Sequence, residues 1–488
     1  MQPWDWQAAD LRKLAENDYT ALINIEPGGG KTALSLWGMQ DSGADVTLIV
    51  APQPTHEHAW IPTGEKLGLE IRPIANTGRK AQKDAMMDFK MGYPGVYLTT
   101  PQLLTRADTS DWMQDLLIVD EGHYLNNPGK QGQKALQRLA GTSGGRMFLS
   151  GTAWRNNFTR AWSVMRFLWP ELYRRHEVAY DSYYMWCRDR MTSEQVYTNQ
   201  KDQWGKPKTV TQWLNEEEPG KLLSEAPCVI IHKKREECCE FHTVERQGYA
   251  GFLNLTEPQV IEHTVELTRV QKKTITDLEE QYLAFLNDNP LLVDLPITMQ
   301  QRIRQVCLGE PEVEDYQVED EFGEMLDKQR LWFKEDCKSP FADTLIDILR
   351  EDEEPIVVYL DAQSFATPLV ARLNKAGYPA FEFSGATRGT RDADLQEFGK
   401  KYRVAVVVIS AGGTGLDGLQ KISNTEVWLE RSVDETNNIQ AESRQDRLGG
   451  RGQVQRHIIM DSEGYAEGRY SKQIAKKLAL NETLRLAR

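Results

Sequence analysis

Cysteine is scarce and basic charge is in deficit: the 488 residues hold six cysteines, and 58 Lys and Arg stand against 72 Asp and Glu, a formal net charge of −14. The cysteines are scattered, and the close pair Cys238-Cys239 has no second pair and no histidines at metal-ligand spacing. That excludes a zinc module and a disulfide framework and leaves reduced, partly buried thiols. No apolar run reaches the length of a membrane-crossing helix, and the start Met1-Gln2-Pro3-Trp4-Asp5 lacks a basic stretch followed by an apolar one, so a soluble, cytoplasmic chain is expected. The acidic balance argues against a basic nucleic-acid wrapper. Acidic residues concentrate in Glu216-Glu217-Glu218, Glu310 to Glu324 and Glu351-Asp352-Glu353-Glu354, which are expected as solvated surface or loops, leaving a groove elsewhere free to be positive. No solenoid-period repeat and no low-complexity tail is present.

What the chain does have is apolar residues at 40% and thirteen tryptophans, enough for two to four structural units at this length. From Trp4 to about Phe167, helical stretches alternate with short aliphatic runs: Ala21 to Ile25, Val46 to Ala51, Gly95 to Thr99, Leu116 to Val119 and Arg146 to Ser150. Alternation of this kind predicts an α/β fold with a parallel sheet covered on both faces. A second set follows from Pro355: Ile356 to Leu360, Ala380 to Phe383, Val404 to Ile409 and Glu426 to Leu429. Between them, residues 171–340 are rich in aromatics and charge, with helical periodicity as in Val270 to Leu286, and are expected as helical insertions with little strand character. The expected organisation is therefore a first lobe over 1–170, a connection over 171–340 and a second lobe over 341–488.

Two strings carry chemistry. In Glu26-Pro27-Gly28-Gly29-Gly30-Lys31-Thr32, glycines allow successive backbone N–H groups to face phosphate oxygens, Lys31 reaches the terminal phosphates and Thr32 holds Mg²⁺. The full pattern wants glycine at Ile25, so this is a shortened phosphate loop. The helix expected over Thr32 to Met39 aims its positive end at the same anion. The run Asp115 to Val119 ends in Asp120-Glu121-Gly122-His123, which places two carboxylates at the carboxyl end of a buried strand. There Asp120 suits Mg²⁺ and Glu121 the activation of the water that attacks the γ-phosphate. Together the strings predict hydrolysis of ATP with Mg²⁺ as its cofactor. A third string, Ile439 to Gly449, sets Arg444 and Arg447 on one helical face, as clamps for a transferring phosphoryl group require; an ion pair with Glu442 or Asp446 is the alternative.

In this order the motifs resemble a superfamily 2 helicase-type motor, and within it the Swi/Snf group of double-stranded DNA translocases, over most of the chain. Gln7 matches the glutamine that reads adenine, Val50-Ala51-Pro52 with Trp60 and Thr99-Thr100-Pro101 match motifs that contact a nucleic-acid strand, and Asp120-Glu121-Gly122-His123 matches the acidic box. Leu125-Asn126-Asn127-Pro128, Leu149 to Asn157 running into Phe167-Leu168-Trp169-Pro170, Ile303 to Cys307, Ser410 to Leu416 and Gln440-Ala441-x-x-Arg444-x-x-Arg447 carry the group assignment.

The resemblance implies two RecA-like lobes acting on one ATP. It assigns Gly28, Gly29, Gly30, Lys31, Thr32, Gln7 and Gly415 to the nucleotide, and Ser150, Gly151, Thr152 and Gln440 to coupling. Contacts with double-stranded or branched DNA fall to Pro52, Thr99, Thr100, Ser384, Arg391, Ser410, Gly412, Gly413 and Thr414. Gly122 replaces the usual alanine as a tolerable small-for-small change, Asp446 a histidine and Gly450 a glutamine. Tyr183 to Arg235 resembles the helical protrusions loosely, and its basic cluster His232-Lys233-Lys234-Arg235 either grips phosphate or sits in solvent. A monomeric motor of the compact bacterial or phage kind is expected. A strand-separating helicase on DNA or RNA, and a motor that displaces a protein partner from DNA, remain open beside it.

Overall fold

The computed structural model describes residues 2–25, 28–75, 79–122, 125–127, 129–151, 158–170, 182–201, 207–217, 220–232, 258–281, 283–286, 289–292, 296–319, 325–412, 418–432, 434–446 and 450–465. The chain forms two compact units, one on each of two parallel sheets.

The first sheet takes β1 (Ala21–Ile25), β2 (Val46–Val50), β3 (Ile71–Pro73), β4 (Gly95–Thr99), β5 (Leu116–Asp120) and β6 (Gly145–Leu149). A hairpin of β7 (Met191–Lys201) and β8 (Pro207–Glu216) follows, and then β9 (Val229–His232), which joins the sheet in the order β3-β4-β2-β5-β6-β1-β9 with every pairing parallel. β1, β2 and β5 are buried at every position, which is why they read as unbroken aliphatic runs rather than alternating ones. Each such Leu, Ile or Val contributes about 1.5–3 kcal/mol of burial.

The second unit opens with β10 (Gln259–Val265), then two hairpins, β11 (Leu283–Leu286) with β12 (Asn289–Leu292) and β13 (Glu312–Glu319) with β14 (Met325–Trp332). The strands β15 (Ile356–Leu360), β16 (Ala380–Phe383), β17 (Val404–Val408), β18 (Thr425–Trp428) and β19 (Gln455–Asp461) complete a six-stranded parallel sheet ordered β10-β19-β18-β15-β17-β16. Its helices are started by ordinary chemistry: Ser339 accepts from Ala342 N at 3.0 Å at the head of the helix Pro340–Glu351, with Pro340 at the first position.

Three expectations are corrected. Residues 171–340 carry strands as well as helices: β9 and β10 extend the two sheets, and three antiparallel hairpins lie among them. The helix expected to run to Leu286 stops at Gln281, before β11. The acidic run from Glu310 is not plain loop either, since Glu312 and Glu314 sit on β13 and pair across the hairpin with Lys334 and Arg330 at 2.5 and 2.8 Å.

Candidate active site

β1 and β5 end on the same rim, separated in the sheet by β6. From the end of β1 the backbone turns through Gly28 and Gly30, both with left-handed φ, 86° and 87°, values that L side chains avoid and glycine takes at little cost. Gly30 heads the helix Lys31–Ser42. A twelve-residue helix beginning there presents unsatisfied N–H groups and a positive dipole end to the rim. Lys31 Nζ donates to the carbonyl of Ile25 at 2.7 Å, so the ammonium is drawn back over the end of β1. Gln7 is 2% exposed. Its Oε1 accepts from Trp4 N at 3.0 Å, and its Nε2 occupies the place of a side chain on Gly30, 2.7 Å from where a Cβ would stand. A residue larger than glycine at 30 would expel that amide.

At the end of β5, Asp120 is buried. Its Oδ2 accepts from Trp60 Nε1 at 2.9 Å and its Oδ1 from the Glu121 N–H at 3.0 Å. Burial, then the adjoining Glu121 carboxylate, push Asp120 up to about 6, against the pull of Lys31 and the indole. Glu121 has φ 47°, a costly conformation for a non-glycine residue and one that concentrates at functional sites. Gly122 is buried, and a Cβ there would lie 2.3 Å from Cε2 of Phe148 on β6. The glycine is therefore required by Phe148 and is not interchangeable with alanine, which corrects the small-for-small reading.

These residues fit a magnesium nucleotide. A buried carboxylate with raised proton affinity is one that a divalent cation would relieve, and carboxylate and hydroxyl oxygens are the donors magnesium prefers. Asp120 and Thr32 would hold the ion and the turn Gly28 to Lys31 the phosphates.

Other expected residues are placed less simply. Trp60 is fully buried, so its indole cannot touch a strand; it serves Asp120 instead. Thr99 is 1% exposed, and the Thr100 hydroxyl accepts from Leu103 N at 3.1 Å as the cap of the helix Pro101–Arg106. Pro52 is buried at the head of a short helical turn. Ser384 is fully buried, its hydroxyl donating to Glu382 and accepting from Ala386 N. Arg391 donates to the Ser384 carbonyl at 3.3 Å and stacks 4.7 Å from the Phe383 ring centroid. The hydroxyls of Thr99, Thr100 and Ser384 are buried or engaged, so any outside ligand at these segments would meet backbone groups. Ser410 is exposed on the short helix Ile409–Gly412. Ser150 is buried beyond β6, where its N–H donates to Ile23 O at 3.1 Å, with Gly151 after it.

Arg444 is half-buried on the helix Glu435–Gln445, and Gln440 of that helix is 5% exposed. The helix is tied down by Glu442, which accepts from Arg431 at 2.8 Å and lies 3.6 Å from Arg456. Glu26, His123, Thr152, Lys233 to Arg235, Gly413, Thr414, Gly415 and Arg447 lie outside the described residues. The sequence reading missed Phe148 and the Arg431–Glu442–Arg456 cluster. The unusual glycine at 122 was the signal for the first; the second has none, since its members are far apart in the chain.

Residues 11–203 match the family model described as the SNF2-related domain. Over that stretch the chain is similar to the SNF2-related domain. The stretch contains the phosphate loop and the acidic box and ends before β9. Protein CHROMATIN REMODELING 24 of Arabidopsis thaliana is 22% identical over 472 residues, covering 88% of this chain and 41% of that protein. Chromodomain-helicase-DNA-binding protein 1-like of Danio rerio is 22% identical over 480 residues, 96% and 42% respectively. The human DNA repair and recombination protein RAD54-like is 27% identical over 181 residues, 33% of this chain and 24% of that protein. The chain thus spans about two fifths of the first and second of these relatives. A solved structure, the Sulfolobus solfataricus SWI2/SNF2 ATPase core in complex with dsDNA, aligns with 100% of this chain and 97% of that one at 15% identity and a TM-score of 0.40. The similarity to the SNF2-related domain thus covers the first parallel sheet from β1 to β6.

Proposed function

We propose that the chain is a DNA-dependent ATPase that translocates on double-stranded DNA and acts on forked or branched forms of it as a monomer. The observation that carries the reading is the rim of the first sheet, where Lys31 and the pair Asp120-Glu121 stand at the ends of β1 and β5, with Asp120 raised to about 6 by burial and Glu121. The DNA track is inferred from relatives whose names speak of DNA repair and DNA binding.

In this reading Lys31 releases the Ile25 carbonyl to hold the terminal phosphates, Glu121 orients and deprotonates the attacking water, and Arg444 and Arg447 are the cations for the transferring phosphoryl group. Magnesium, when bound by Asp120 and Thr32, supplies charge neutralisation on the phosphate oxygens. Backbone groups around Pro52, Thr100 and Ser384, with Arg391, follow one strand without reading sequence.

ATP hydrolysis measured with duplex, forked, four-way-junction and single-stranded DNA and with RNA tests the proposal. Duplex and branched DNA are expected to stimulate most, and triplex displacement is expected without strand separation. Stimulation by single strands or RNA alone would favour a strand-separating helicase. Lys31→Ala and Glu121→Gln are each expected to lower turnover by roughly 10²-fold or more while DNA binding persists; unchanged hydrolysis in Glu121→Gln would sink the assignment.

A further inference from the structure

Trp60 sits at one end of a five-residue π-helical turn, His56–Trp60, between the helical turn Gln53–Thr55 and the helix Ile61–Lys66. Such turns are rare and frequently mark functional sites. Both ends of this one are pinned by buried polar side chains. At its start, the His56 ring meets the Ala51 carbonyl at 2.9 Å, and the Ala51 N–H donates to the Thr99 carbonyl at 2.9 Å. The turn is thus fixed to the ends of β2 and β4, beside Pro52 and Thr100. At its finish, the indole of Trp60 is fully buried and donates to Asp120 Oδ2. An indole has one donor and no acceptor, so this bond orients the carboxylate and favours its charged form.

We infer that Trp60 is a positioning residue that links the Pro52–Thr100 rim to the acidic box: it sets the orientation of the Asp120 carboxylate and passes displacement of the π-helical turn to it. The inference rests on the nucleotide and DNA reading above. When a strand phosphate draws on the backbone around Pro52, the turn His56–Trp60 moves as a unit because both of its ends are bonded, and the indole N–H moves with it. The cation site and the track are then joined by a single side chain, inside one unit.

Two measurements on the full chain test this. Trp60→Phe keeps a ring in the pocket and removes the donor. The Mg²⁺ concentration that half-saturates binding of a non-hydrolysable fluorescent ATP analogue is expected to rise about 10-fold, the usual cost of losing a partner that orients a metal ligand. In the unsubstituted chain labelled with 6-fluorotryptophan, the Trp60 fluorine resonance, assigned by its loss in W60F or in W60Y should the first variant not fold, is expected to shift when duplex DNA is added without nucleotide. A normal Mg²⁺ requirement in a folded W60F chain, or a Trp60 resonance blind to DNA that binds, overturns the role of Trp60 and leaves the proposed function standing. A wild-type chain that binds no Mg²⁺·nucleotide sinks both.

Discussion

Buried carboxylates meet different fates in the two units. On β5 of the first, Asp120 has an indole and a backbone N–H for partners, and burial with Glu121 beside it drives its proton affinity up. On β18 of the second, Glu426 is more deeply buried, and there too burial pushes the carboxyl up, but Arg456 on β19 bonds it directly and continues to Glu442 and Arg431. Burial opposes the charge on Arg456, yet Glu426 and Glu442 together hold that guanidinium firmly protonated. The same arrangement recurs where Arg304 bonds Glu430 at 2.6 Å and Asp361 at 2.9 Å. A carboxylate compensated by a fixed arginine is scaffold, and here it holds the helix of Gln440 and Arg444 in place. Asp120, whose bonded partners carry no charge, keeps an appetite for a cation from outside.

The largest effect expected from breaking this contrast is in the second unit. Arg456→Met leaves Glu426 buried without its cation and is expected to cost about 3–5 kcal/mol, read as a lowered unfolding midpoint in urea, whereas the double replacement Glu426→Leu with Arg456→Met should recover most of it. The matching change in the first unit should cost less. Asp120→Asn removes a charge that burial disfavours but leaves one of its two buried N–H donors facing an amide nitrogen, so the loss of stability is expected to stay at or below about 1–3 kcal/mol while ATP hydrolysis is lost. If Asp120→Asn destabilises as much as Arg456→Met, the distinction between scaffold and site acids fails.

The second effect sharpens the geometry of the acidic box. Gly122→Ala puts a methyl into the Phe148 ring, and overpacking of this kind is expected to cost about 1–3 kcal/mol with a fall in turnover, because Glu121 directly before it is already held at φ 47°. Phe148→Leu in the same chain should restore stability and part of the activity. No rescue would mean that the glycine answers to backbone conformation and not to the ring.

Much of this was legible in the residues, and what was not follows a pattern. The strands β1, β4, β15 and β16 were predicted to the residue, β1 and β15 because a strand buried at every position reads as a nearly unbroken apolar run. β10 escaped because its sequence, Gln259 to Val265, alternates exposed and half-buried positions at a sheet edge, and β13 because charge along a half-solvated hairpin looks like loop. In the site, Lys31, Asp120 and Glu121 were found because their spacing is fixed by local chain geometry. The partners Trp60 and Phe148 belong to other strands and helices, and Trp60 was assigned to the track when its indole faces Asp120. Local motifs announce the reacting groups; the residues that hold them are chosen by the fold.

The smallest effect expected separates the edge of the second sheet from its centre. His263 on β10 and His457 on β19 share a hydrogen bond of 2.9 Å between Nε2 and Nδ1, which requires that one ring nitrogen stay unprotonated. Burial lowers both rings from 6.5, and for His457 the neighbouring His263 lowers it further. Glu351 pulls both rings the other way and Asp352 adds to that pull on His457; both carboxylates stand at the end of the helix Pro340–Glu351. Above the ordinary value of 6.5 both native and unfolded chains are neutral here, and the pair costs nothing. As the pH falls through it, the unfolded chain takes up protons that the native edge refuses, so stability is lost at up to about 1.4 kcal/mol per pH unit for each proton. The urea midpoint of the second unit is therefore expected to fall between pH 7.5 and 5.5, and His457→Gln to flatten that slope. An unchanged slope would show that this pair does not carry the acid sensitivity of the unit.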